Sequence, residues 1–297
     1  MLTDAAQYLV SAFSLGGLYA LMALGLVIVY GILKLINFAY GELVMVAGYG
    51  MLIIGRSPWP WIIVAVLSVL CAIFAALVME RVAFRPVRNS SPTTMLITSF
   101  ALSALLQNLA LLIISPRPQV PRLPDVFTRN FRVGGVRIDM LDLMGLIVSI
   151  VALVLLTVFL RRTVIGLSLR AAADDFTMTR LMGVRANMVI AAAFAISGLM
   201  AGIVALFWIG NTRSTTPTIG LEPVLIAFIA SVVGGMSSIK GAVLGGYVLG
   251  FLTIGLQTWL PQDINAYRDA VLFGIVILVL LVRPEGIVRP AYSREAR

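Results

Sequence analysis

Glu42 is the residue of this sequence whose chemistry is hardest to place in an ordinary surface. It closes the run Leu35-Ile-Asn-Phe-Ala-Tyr-Gly-Glu42, and the next charge along the chain is Arg56. A charged side chain at the centre of a membrane helix costs roughly 2.5–3.5 kcal/mol on insertion scales, so it normally faces a polar cavity or a partner. Glu42 therefore either lines a polar route or has a structural job. It could pair with nearby Lys34, or N-cap the next helix, where an acid favours the helix dipole. Asn37 has the same two options, as an amide that forms a break or as one that lines a path. A second polar group is Val233-Gly-Gly-Met-Ser-Ser-Ile-Lys-Gly-Ala-Val-Leu-Gly-Gly246. Glycines and serines at membrane depth free backbone groups that need a cavity or a neighbour. Gly234, Gly235, Ser237 and Ser238 stay open between packing and pathway. The later glycines have GxxxG spacing, which lets helices approach closely. Lys240 is expected to snorkel at the inner interface.

The third group, Leu169–Phe194, is the most polar run in the second half. Arg161, Arg162, Arg170, Arg180 and Arg185 surround Asp174 and Asp175. Ala171–Met182 carries good helix formers, and Gly183 can take a left-handed stop. Met178, Leu181 and Met182 supply one apolar edge. The segment reads either as a handle held by another protein or as an ordinary basic loop. None of these groups resembles a catalytic centre. The chain has no His and one cysteine, Cys71, so the commonest general base, the commonest metal ligand and an internal disulfide are absent. It has no H-E-x-x-H motif and no phosphate-binding G-x-x-x-x-G-K-[ST] loop. No catalytic residue, metal or cofactor is expected.

The elements that position these groups are membrane helices. The chain is 60% hydrophobic and 12% charged, with mean hydropathy +1.03; soluble domains carry about 25% charged residues. The expected fold is an all-α polytopic integral membrane protein with about eight or nine transmembrane helices, broken or re-entrant segments included. The candidate spans are Gln7–Leu33, Leu35–Ile54, Trp61–Met79, Thr94–Ile114, Leu141–Leu160, Met188–Ile209, Pro223–Val233, Ala242–Leu260 and Arg268–Val282. The second opens on polar residues, and the seventh is too short to cross alone. The start, MLTDAAQ, lacks a basic region, so the first span reads as retained.

With the N-terminus outside, positive-inside bias puts Lys34, Arg81, Arg85, Arg88, the arginines around the handle, Lys240 and the tail arginines Arg283, Arg289, Arg294 and Arg297 in the cytoplasm. The net charge of +9 then reflects basic loops rather than nucleic-acid binding. The Arg-bearing loop Pro116–Met140 opposes this orientation. Its Pro-rich start would be extended. Its segment Phe131–Ile138 is expected to form a small periplasmic β-hairpin turning at Gly134-Gly135. The chain is expected to be one transmembrane domain over 1–297, with a periplasmic loop at 115–140, a cytoplasmic coupling segment at 161–187 and a cytoplasmic tail at 283–297. Gly41, Gly50, Leu52, Ile54 and Gly55 recur at the same spacing as Gly241, Gly250, Leu252, Ile254 and Gly255, a pattern that either marks an internal repeat or reflects simple apolar sequence.

The order of these motifs resembles the LivH-type permeases of branched-chain amino-acid ABC importers, the hydrophobic amino-acid uptake family, over roughly residues 10 to 288. It is carried by Gly17-Leu-Tyr-Ala-Leu21 with Ala23-Leu-Gly25, Ile36–Glu42, Leu169-Arg-Ala171 with Asp175 and Gly183, Phe194 to Gly202, Gly234-Gly235 to Gly241-Ala242 with Gly245-Gly246, and Leu281-Val-Arg-Pro-Glu-Gly-Ile287. The resemblance implies a non-enzymatic inner-membrane subunit working by alternating access. Its implied partners are a second permease of the LivM type or a second copy, two ABC ATPase subunits, a periplasmic solute-binding protein, membrane lipid and a small solute. It also implies ATPase coupling through Arg170, Ala173, Asp174, Asp175, Met178, Leu181 and Gly183. The expected path residues are Asn37, Phe38, Tyr40, Gly41, Glu42, Gly234, Gly235, Ser237 and Ser238. The sequence departs from the family at Tyr40, where His is common, at Ser237, where Gly is common, and at Thr179, where Ala is usual. Relatives also carry urea, short amides or aromatic acids, so the ligand stays open. A secondary transporter or channel would need coupling-ion groups in the membrane, and only Glu42 qualifies. A membrane-embedded enzyme would need a catalytic cluster.

Overall fold

The computed structural model describes residues 2–124, 127, 130–133, 136–236, 238–261, 267–283 and 286–288. In chain order the elements are α1 (Leu2–Leu33), α2 (Tyr40–Ile54), α3 (Trp61–Met79) running into a π-helical turn (Glu80–Phe84), α4 (Arg85–Val87), α5 (Pro92–Ile113), strands β1 (Asn130–Val133) and β2 (Val136–Asp139), α6 (Met140–Arg162), α7 (Val164–Asp174), α8 (Phe176–Leu181), α9 (Ala186–Thr212), α10 (Leu221–Gly234), α11 (Ile239–Trp259) and α12 (Arg268–Val282). The two strands pair antiparallel with Phe131 opposite Ile138. Gly134 and Gly135, the expected turn, lie outside the described residues.

Six helices among the described residues are long and apolar enough to cross a bilayer, beginning with Gln7–Leu33 and ending with Ile239–Trp259. The eight or nine expected from hydropathy also counted broken or short segments, which fall outside this set. The physical reason is length. At 15 residues, α2 rises about 22 Å, short of the ~30 Å hydrocarbon core. The same holds for α10, with 14 residues, and α12, with 15.

Three buried hydroxyls inside these helices bond back to their own backbone. Ser68 donates to the Val64 carbonyl at 2.7 Å, Ser99 to Leu96 at 2.8 Å and Thr253 to Leu249 at 2.8 Å. Such pairing satisfies polar groups where no water is at hand.

By contacts the chain divides into two compact units. One comprises residues 28–124 and 152–225. Its centre is α2, packed on α3 and α9. Those two meet through small residues: a Cβ added to Gly202 would lie 2.9 Å from the Val69 Cα. Met45, Tyr49, Leu52 and Ala110 form a core cluster between α2 and α5. Ser91 starts α5 by accepting the Thr94 amide at 3.2 Å, with Pro92 in the first turn.

The other unit comprises residues 1–27, 125–151 and 226–297. Here α1 lies along α11, with Phe13 and Phe251 edge to face at 5.0 Å. Ser14 donates to the Asp142 carbonyl of α6 at 2.8 Å. A turn at Gly286, with φ +81, brings the Ile287 and Val288 amides onto the Val233 and Gly234 carbonyls at 2.9 and 3.1 Å. These bonds satisfy carbonyls that the end of α10 leaves open.

Candidate functional site

The break between α1 and α2 is built by its own side chains. Lys34 leaves α1 in a left-handed conformation, φ +53. The Asn37 Oδ1 accepts the Ala39 amide at 3.1 Å, an Asx turn that offers the backbone an alternative to helix. The break-forming reading of Asn37 is thus observed. Its Nδ2 is buried with no hydrogen-bond partner among the described residues, as is the Tyr40 hydroxyl. Phe38 stacks on Phe100 of α5, with ring centroids 4.3 Å apart and planes 16° from parallel.

Glu42 is not an N-cap. That position belongs to Ala39, which has no side-chain cap, and Glu42 is the third residue of α2, within its first turn, 1% exposed. Its Oε1 accepts from the Ser103 hydroxyl at 2.8 Å and from the Gln107 amide at 2.7 Å. Gln107 also donates to Ser103 at 3.2 Å. The Glu42 Oε2 is buried without a partner among the described residues. Pairing with Lys34 is also corrected, because the end of α1 lies beside the end of α7. The Lys34 Nζ donates to the Ala173 carbonyl at 3.2 Å, and Gly31 faces Ala173. Ser103 and Gln107 escaped the sequence reading. Their signal was there: Ser99, Ser103 and Gln107 recur every fourth residue along one stripe of α5.

At the second break, α10 ends at Gly234, and Gly235 takes φ +107. Ser238 starts α11 by accepting the Gly241 amide at 3.1 Å. Gly234 and Gly241 meet backbone to backbone, and a Cβ on either would run into the other's carbonyl. Gly41 and Gly220 meet in the same way. Gly41 and Gly234 are therefore each packed closely against a facing backbone. Ser237 lies outside the described residues, and Lys240 is exposed.

The expected single helix over Ala171–Met182 is instead two. Thr163 caps α7 by accepting the Gly166 amide at 3.0 Å. Asp175 is extended, φ −145 and ψ 104, and accepts the Met178 amide at 2.9 Å. An aspartate that captures the backbone this way starts a new helix rather than continuing the old one. Gly183 is the expected left-handed stop, with φ +85 and nothing within 4 Å of its Cβ position. Met178, Leu181 and Met182 are 60%, 75% and 85% exposed. Arg170, Asp174 and Arg180 are exposed beside them, whereas Ala173 is half-buried. Thr179 is buried and donates to the Asp175 carbonyl at 2.7 Å. Beyond Gly183, Asn187 at the start of α9 accepts from Arg88 next to α4.

Two breaks, the first holding buried polar side chains, and a jointed basic segment with an uncovered apolar edge invite comparison with known transport proteins. A family profile described as "Branched-chain amino acid transport system / permease component" matches residues 8–280. The high-affinity branched-chain amino acid transport system permease protein BraD of Pseudomonas aeruginosa is 35% identical over 304 residues, covering 97% of each chain. The permease protein LivH of Escherichia coli gives the same figures, 35% over 304 residues and 97% of each chain. A probable branched-chain amino acid transport permease LivH of Methanocaldococcus jannaschii is 25% identical over 284 residues, covering 91% of this chain and 88% of its own. On the span of the profile match and the near-complete coverage at this identity, the chain belongs to the family of branched-chain amino acid transport system permease components.

Proposed function

We propose that this chain is the multi-pass permease subunit of an ATP-binding-cassette importer of branched-chain or other hydrophobic amino acids in a bacterial inner membrane. The 35% identity to BraD and LivH over nearly the whole chain carries that reading. Its partners are two ATPase subunits, a periplasmic solute-binding protein and a second permease, of the LivM type or a copy of itself. The chain forms a translocation path and performs no chemistry. ATP hydrolysis belongs to the partners.

In this reading α7 and α8 are the coupling segment. Arg170, Asp174 and Asp175 supply its polar faces, Met178 and Leu181 its docking edge, Ala173 its seat against the end of α1, and Gly183 its stop. The exposed apolar edge at Met178, Leu181 and Met182 supports this, since such a surface marks an interaction site. ATP binding closes the ATPase pair and moves the segment. The bond from Lys34 to the Ala173 carbonyl passes that movement to the break at Asn37–Glu42. The path runs past Asn37, Phe38, Tyr40, Gly41 and Glu42, and past Gly234, Gly235, Ser237 and Ser238. Movement of the segments selects between outward- and inward-open states. The segment at 161–187 and the tail at 283–297 are cytoplasmic, the N-terminus and the loop at 115–140 are periplasmic, and that orientation has the shorter α2, α10 and α12 cross or nearly cross as well.

The test is purification of the tagged chain from its native membrane in mild detergent, followed by reconstitution with the co-purifying proteins and uptake of labelled leucine. Two ATPases, a second permease and ATP-dependent uptake are the expected result. Uptake of urea or a short amide in place of leucine would keep the importer and replace the solute. A chain that purifies alone and transports without ATP would favour a secondary transporter.

A further inference from the structure

Between α2, α3 and α5 lies a cavity of about 310 Å³. Its walls include Tyr49 and Ile53 of α2, Cys71 of α3, and Leu106, Ala110 and Ile113 of α5. All these elements belong to one compact unit. The recess opens sideways: Ile53 is 54% exposed and Ile113 76% exposed. In a membrane-spanning chain, the medium against such a mouth is hydrocarbon or another protein.

Two arginines follow the walls of the recess in sequence. The chain runs from Ile53 into Arg56 and from Ile114 into Arg117. The Arg56 amide donates to the Ile53 carbonyl at 3.4 Å, so this turn follows directly from the wall of the recess. Both arginines are exposed, and the ion pair described in this structure, Arg268–Asp269, involves neither. Trp59, 55% exposed, follows Arg56 by three residues, and tryptophan concentrates at the level of the headgroups. An apolar recess whose walls lead within three residues to two arginines, neither in an ion pair among the described residues, matches an acyl chain attached to an anionic headgroup.

We propose that this recess is a binding site for an anionic phospholipid, with an acyl chain between α2 and α5 and the phosphate held by Arg56 and Arg117. The site is independent of the transported solute and of the ATPase partners. Its stabilising effect falls on α2, the helix that carries Glu42, because α2 is too short to seal its own flank.

The experiment is native mass spectrometry of the purified protein delipidated and then titrated with phosphatidylglycerol or phosphatidylcholine. Wild type should retain one phosphatidylglycerol in preference to phosphatidylcholine. Arg56→Gln and Arg117→Gln should each weaken that retention by about fivefold, and Ile53→Trp, which fills the mouth from an exposed position, should abolish it. Cys71, the sole thiol, gives a second readout on the unaltered wall. Its reaction with N-ethylmaleimide should be slow with phosphatidylglycerol present and fast without it. Equal retention of both lipids by wild type and all variants would overturn the site. So would Cys71 protection that follows a second permease rather than the lipid, which would make the recess a protein seat.

Discussion

The Gln107 side chain of α5 donates to the Glu42 carboxylate of α2 at 2.7 Å, across 65 residues of sequence. Ser103 completes the pair of donors at 2.8 Å. A buried carboxylate with two donors is held, and the donors depend on it in turn. Removing the acceptor leaves both donors stranded, at about 1–3 kcal/mol for each buried group left unpaired.

Glu42→Leu should therefore lower the thermal stability of the detergent-purified protein, and Glu42→Gln should not, because an amide oxygen still accepts from Ser103 and Gln107. If Glu42 also lines the path, Glu42→Gln should reduce uptake by about tenfold, the effect of roughly 1.4 kcal/mol. Equal loss of stability and uptake in Glu42→Gln would assign the residue to structure alone.

At the joint of the coupling segment, Asp175→Ala should cost about 1 kcal/mol of helix stability, and Asp175→Asn almost nothing, since both Asp and Asn cap well. With six residues, α8 has little else to hold it. Uptake by the reconstituted complex should fall in the alanine variant and survive in the asparagine variant. The reverse order would show that the charge, rather than the cap, matters.

Gly183 is a purely conformational case, because no atom lies within 4 Å of its Cβ position. Gly183→Asn should be close to neutral and Gly183→Val harmful, by about 1–2 kcal/mol for a left-handed conformation in an L-residue. ATPase activity of the complex with and without solute-loaded binding protein checks this. Loss of solute stimulation in the valine variant alone is the expected pattern.

The bond from Lys34 to the Ala173 carbonyl lies at the C-terminal end of α7, where a cation favours the helix dipole by about 0.3–1 kcal/mol. Lys34→Met should reduce uptake per ATP hydrolysed by about two- to fivefold, with rescue by Lys34→Arg. Unchanged stoichiometry would remove this bond from the coupling route.

Gly41→Ala and Gly241→Ala would each press a methyl group into a facing backbone, an overpacking of about 1–3 kcal/mol. Both should lower the amount of folded protein in the membrane. Gly274→Ala, with nothing within 4 Å, is the matched control and should leave it unchanged.

Local signals in the sequence were enough to find the first break and the stop at Gly183. Polar residues interrupt an apolar run at Asn37–Glu42, and a glycine follows a helical stretch at Gly183. Partners distant in sequence were not legible. Glu42 was weighed against its neighbour Lys34, whereas its donors lie on α5 and Lys34 serves α7. Asp175 reads in the sequence as a charge on a helix, whereas its extended backbone makes it a boundary. Gly220 drew no attention because nothing in its own neighbourhood shows that Gly41 lies against it. The resemblance supplied the family, but it did not supply this geometry.

The backbone contacts at Gly220 and Gly234 place α10 under an unusual evolutionary constraint. At each end the closest contact is main chain against main chain, Gly220 on Gly41 and Gly234 on Gly241. Drift there meets a wall, since any larger residue displaces a neighbouring helix terminus. Room for variation in this helix lies at exposed positions such as Leu221 and Leu225, where a change of side chain can alter what α10 presents without moving where it sits.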